Sequence, residues 1–269
     1  MGGLDPQDGI DGSVAAEAST PPTPPPPPAP PRFGAAYAVV AFVLFTFAQL
    51  AAGMAVAMVA VIVAAVQGKS IGDQQVMTAA VNDSVVIGIV VGLLASTAVA
   101  LLMTRPIVRA RLGAGVGLIR ASRRQTLLAF AAGVAVALAY AVLSRLVPTE
   151  WQGGPLAKLI KEQWLAKYIL TFAAVVYAPP IEELLFRGLM LRGMIVSWGT
   201  RAAGTVVTLL FVLLHIFEVI GYWPALGAIV ALSLLTLFAR LRSQSLVPAI
   251  AAHLGYNLIT AALLFIPSS

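Results

Sequence analysis

Stretches such as VVIGIVVGLLASTAVALLM, residues 85–103, constrain this chain more than any other feature, because they are apolar on every face and recur along its length. A helix needs roughly 20 apolar residues to cross a hydrocarbon core of about 30 Å. Lipid offers backbone groups no other partner, so spanning segments are helices or closed barrels. Barrel strands would alternate apolar and polar residues, and these stretches do not. With 59% hydrophobic and 10% charged residues, the composition lies outside the range of soluble domains. The expected fold is therefore all-α, a polytopic transmembrane helical bundle of about seven to eight spans. Hydropathy places them at 36–66, 85–103, 127–143, 165–191, 202–220, 223–238 and 246–266. The first is long enough to be tilted or broken near Gly53, and the fourth is interrupted by PPIEE.

Residues 1–34 read as a disordered acidic and Pro-rich cytoplasmic tail, with Asp5, Asp8, Asp11 and Glu17 ahead of PPTPPPPPAPP. Such a run is disordered or an extended polyproline II arm, a solvated tail before it is a ligand for an SH3-like partner. Residues 35–150 form the N-terminal transmembrane helices and 151–269 the part that carries the chemistry. Between Leu156 and Tyr168, apolar Leu156, Leu159, Ile160 and Trp164 oppose Lys158, Lys161 and Glu162, the pattern of an amphipathic surface helix. The net charge of +6 does not point to nucleic acid, because the basic residues sit mostly at span ends. Arg32, Arg105, Arg109, Arg111, Arg120, Arg123, Arg124, Arg192, Arg201, Arg240 and Arg242 fall on one side, against Lys69, Arg145, Lys158, Lys161 and Lys167 on the other. This asymmetry puts the N-terminus in the cytoplasm of a multi-pass cell-membrane protein. The lipid bilayer is the expected surround. No cysteine is present, which removes thiol nucleophiles and thiolate metal sites.

Ionisable residues inside spans usually face a cavity and serve a function. Those lying within apolar sequence are Glu182, Glu183, Arg187, His215, Glu218 and His253, with the amide of Asn257 beside the last. His215 and His253 are the only histidines. Pro179 and Pro180 disrupt regular helix bonding, and a turn restarting there would put both glutamates near a helix N-terminus. Glu183 and Arg187, four apart, can pair on one face, leaving Glu182 to point about 100° away. His253 and Asn257 share a face, and Gly255 permits close helix approach. At ~1.5 Å per residue, Glu182 lies roughly 10 to 15 Å and His253 about 10 to 12 Å from the cytoplasmic ends of their spans, with His215 near 20 Å. The clusters can thus meet in the cytoplasmic half of the bilayer.

Three motifs in order, E-E-x-x-x-R at Glu182, Glu183 and Arg187, F-x-x-x-H at Phe211 and His215, and H-x-x-x-N at His253 and Asn257, resemble those of the CPBP family. This is the group of type II CAAX prenyl endopeptidases and bacteriocin-processing proteins. The likeness covers roughly the last third of the chain. It implies an intramembrane endopeptidase acting on a membrane-anchored or lipidated, CAAX-like protein or peptide. By the same resemblance, Glu182 activates water with His215, His253 and Asn257 stabilise the oxyanion, and Glu183 with Arg187 supports the site. A carboxylate and imidazoles on separate helices suit that chemistry. The favoured reading needs no cofactor. The alternative is zinc held by Glu182, His215 and His253, although the H-E-x-x-H helix of zinc proteases is absent. Competing functions are a proton-coupled transporter, against which the lack of internal repeats argues, and a non-proteolytic immunity or scaffold protein.

Overall fold

The computed structural model describes residues 33–70, 72–110, 113–147, 154, 159, 164–263 and 265. Among them the regular structure is helical throughout: α1 Ala35–Val66, α2 Gln74–Arg109, a 3-10 turn Gly113–Val116, α3 Arg123–Leu146, α4 Trp164–Leu214, a short α5 Ile216–Val219, α6 Trp223–Ser243 and α7 Leu246–Leu263. Six of these helices are long and apolar enough to cross a membrane. The expected amphipathic helix before Tyr168 falls largely outside the described residues.

α4 cannot be one straight rod. Its 51 residues would separate Arg187 from Phe211 by about 36 Å at ~1.5 Å per residue, yet the Arg187 guanidinium lies 4.4 Å from the Phe211 ring centre. The chain turns back at Gly199, whose φ of 78° and ψ of 169° suit a residue without Cβ. Two limbs result, one before and one after Gly199. The span ending at 191 is corrected here: the helix runs on to Trp198 before it reverses, with Ser197 Oγ accepting the N–H of Ala35 at the start of α1 (2.9 Å). Glycine supplies no cap at position 34, and Ser197 takes that part.

α1 is continuous through Gly53, so the break considered there does not occur. α2 turns a stripe of Ser84, Gly88, Gly92, Ser96, Ala100 and Thr104 inward at every fourth residue. This is the small-residue pattern that lets membrane helices approach closely where lipid provides no hydrophobic drive between them. α3 and α7 meet in the same way: Gly133 lies against the Ala252 carbonyl and Gly255 against that of Phe130. The role read for Gly255 is therefore observed, with α3 as the partner. The main core gathers Leu185, Phe186, Leu189, Met190, Phe211 and Leu232 between α4, α6 and the start of α1.

Candidate active site

The prolines do not break α4. Pro179 and Pro180 open an α-helical turn, Ala178–Glu183, flanked by two wider π-helical segments, Ala173–Tyr177 and Leu184–Met190. The glutamates therefore occupy a continuous helix rather than a free N-terminus, which corrects the dipole argument for their placement. π segments inside α-helices are frequent at functional sites because the extra residue re-aims the side chains that follow.

Glu183 and Arg187 pair as their spacing predicts, Oε2 to Nε at 3.3 Å, and neither side chain is exposed. The guanidinium is further held by the Ser233 carbonyl at 3.0 Å and the Ser233 hydroxyl at 2.9 Å, and it lies over the Phe211 ring. Glu183 has a second partner, His253 Nδ1, at 2.9 Å from Oε1. A carboxylate oxygen accepts, so Nδ1 carries the hydrogen and His253 turns Nε2 toward Glu182, 3.9 Å away. On the opposite side His215 Nε2 stands 3.8 Å from the same Glu182 oxygen, Oε2. His215 Nδ1 donates to the Phe211 carbonyl at 2.9 Å, which leaves its Nε2 lone pair facing Glu182. The Phe211 ring fixes both imidazoles, with centroids 4.6 Å from His215 and 5.8 Å from His253.

Burial divides the two glutamates. The Glu182 side chain is 16% exposed and that of His215 23%, while Glu183 and Arg187 are sealed. Among the described residues Glu182 Oε2 has no hydrogen-bond donor. Five of the six residues singled out from sequence therefore converge. Asn257, one turn beyond His253, sends its Nδ2 to the Ala174 carbonyl at 2.7 Å and keeps a second hydrogen on that nitrogen. The proposed zinc set, Glu182, His215 and His253, comes together from three passes. Yet no group of three or more His, Asp or Glu among the described residues is disposed to hold a metal ion.

Sequence reasoning missed Ser233, a hydroxyl too common in membrane helices to stand out. It also misread Arg240 as a charge in a connection. Arg240 is buried, 5% exposed, and donates through Nε to the Arg187 carbonyl at 3.2 Å and through Nη2 to Gly115 at 2.8 Å.

Residues 164–259 match the family described as Type II CAAX prenyl endopeptidase Rce1-like. No curated protein and no solved structure matches the chain. The matched segment begins where α4 begins and ends two residues beyond Asn257, so it contains all three motifs and the whole cluster around Glu182. Residues 164–259, from the start of α4 into α7, thus match a model of the Rce1-like type II CAAX prenyl endopeptidases, a family of intramembrane proteases, and the match lies in a multi-pass membrane protein.

Proposed function

We propose that the chain hydrolyses a peptide bond of a membrane-anchored or lipidated protein, using a water activated by Glu182. The observation that carries this reading is the single Glu182 oxygen placed between two imidazole Nε2 atoms at 3.8 and 3.9 Å. Glu182 takes the proton of a water that His215 Nε2 also orients, and the oxygen attacks the scissile carbonyl. His253, protonated on Nε2, donates to the developing oxyanion, with the remaining Asn257 hydrogen one turn further along. The proton on Glu182 then passes to the leaving amine. Glu183 and Arg187 touch no substrate in this scheme. Glu183 orients His253 through Nδ1 and faces the Arg187 guanidinium in a sealed environment. An unbalanced charge in that environment would be strongly destabilising.

The test is cleavage of a panel of lipidated peptides in vesicles by wild type, Glu182→Ala and His253→Ala. Loss of turnover in both variants, with wild type active, supports the assignment. Full turnover in both overturns it. Turnover that strong chelation abolishes and zinc restores replaces the water-activating glutamate by a metal on Glu182, His215 and His253. Glu182-dependent proton flux without cleavage would indicate a transporter, and neither activity would indicate a scaffold.

A further inference from the structure

The turn that bears Glu182 is bracketed by two π segments, and one main-chain carbonyl in each accepts a hydrogen bond from a side chain of another helix. At the first, the N–H of Ala178 reaches back to Ala173 and Pro179 has none to give, so the Ala174 carbonyl is served by Asn257. At the second, the N–H of Leu191 goes to Phe186 and Gly188, passing over Arg187, and the Arg187 carbonyl is served by Arg240 Nε. Buried carbonyls are almost always paired, and here both donors come from other helices, α7 and α6. The wider register on each side of the glutamates thus has an external tie.

Charged side chains inside a membrane bundle pair with one another or with backbone carbonyls, and Arg240 takes the second course: no carboxylate pairs with it among the described residues. Its acceptors are main-chain oxygens of Arg187 and Gly115. The connection between α2 and α3 is shaped around it. Gly117 has φ 84°, and a Cβ there would stand 2.7 Å from Arg240 Nε. The same connection is fastened to α7 by Leu246 N–H to Gly117 (2.9 Å) and Ser245 Oγ to Ile119 (2.6 Å).

We propose that Arg240 is a positioning residue for the peptidase site, holding the Glu182–Glu183 turn in register through its bond to the Arg187 carbonyl in the second π segment, opposite the tie made by Asn257. The proposal rests on the peptidase reading of the cluster. Arg240 touches neither substrate nor the reacting atoms and acts through the main chain of the residue that grips Glu183.

The experiment uses full-length protein in lipid nanodiscs with ¹⁵N-labelled imidazoles. The chain has two histidines, so every ring signal reports on the site. Arg240→Met removes both donors at similar length, and Arg240→Lys retains one. Arg240→Met is expected to lower kcat about tenfold with KM within about twofold, as a small misplacement of catalytic groups does. It should also shift the Nδ1 signal of His253, and Arg240→Lys should recover part of both changes. Gly117→Ala, which crowds the guanidinium from the loop side, should give the same signature at smaller amplitude. If Arg240→Met cannot be obtained folded, Arg240→Lys and Gly117→Ala carry the same readouts. Wild-type imidazole spectra in the variants, whatever happens to thermal stability, would overturn the proposal, as would an effect confined to KM. If wild type cleaves no peptide, the peptidase reading fails, and the imidazole spectra alone decide whether Arg240 positions the turn.

Discussion

Adjacent glutamates can have opposite dependencies on their surroundings, and Glu182 and Glu183 do. Glu182 is partly open, and its Oε2 has no hydrogen-bond donor among the described residues, so Glu182→Gln should leave the fold intact while turnover falls by about 10²- to 10⁴-fold, the usual contribution of a general base. Glu183→Gln removes the charge that balances a sealed Arg187 and the acceptor that holds His253. Breaking a buried pair in this way destabilises by about 3 to 5 kcal/mol, so this variant should lose both activity and thermal midpoint. The two are separated by following the detergent-solubilised protein on heating beside its cleavage rate. Equal thermal loss in both variants would refute the division of roles. Ser233→Ala belongs with Glu183: it deletes one hydroxyl acceptor of a buried guanidinium, and a loss of about 1 to 3 kcal/mol in stability is expected. At this scale the Glu183–Arg187 pair was readable from sequence, because i,i+4 neighbours share a helix face. The bond from Glu183 to His253 was not, since those residues are 70 apart and only tertiary packing joins them.

Within the elements, the two prolines were legible as a disturbance of α4, but the form of the disturbance was not. Hydropathy and proline position suggest an interruption. The helix instead widens on both sides of the prolines, and side chains from α6 and α7 donate to its carbonyls. No local pattern encodes that compensation. Pro179→Ala tests it. Alanine would bring an N–H to position 179 that can reach the Val175 carbonyl, letting the Ala178 N–H return from Ala173 to Ala174 in competition with Asn257, and would so favour the regular register that proline prevents. Losing one π insertion rotates the residues beyond it by about 100°, which carries Glu182 away from the imidazoles. The expected variant is at least as stable as wild type on heating and roughly tenfold or more slower in cleavage. A variant less stable but equally fast would show that the prolines serve folding and leave the site untouched. The reversal of α4 was legible only as a basic connection near Arg192 and Arg201. Glycine at 199 marks its true position, which lies beyond Arg192 because the helix continues to Trp198 and caps α1.

For the molecule as a whole, the motifs were found on separate spans, and depth explains why they meet. Glu182 lies 17 residues before Gly199 and His215 16 after it, about 25 Å along each limb at ~1.5 Å per residue, so the reversal brings them level. His253 reaches the same height from Leu246, whose side chain packs near Gly188, about 10 Å below it along α7. Counting from the sequence-expected span ends had left His215 too deep, because the helix before the turn was assigned too short. If the arginine-rich ends are cytoplasmic, peptide bonds are expected to reach the site from that side. The absence of cysteine makes the orientation directly measurable. Ser70→Cys, in the exposed connection between α1 and α2, and Arg124→Cys, exposed at the start of α3, each introduce one thiol. A membrane-impermeant maleimide should label the first in intact cells and the second only after permeabilisation. The reverse pattern would invert the molecule and require substrates presented from outside. Labelling of both from one side would contradict the paired passes of α1 to α3. With the expected pattern, inside-out vesicles should cleave an added lipidated peptide while sealed right-side-out vesicles do not.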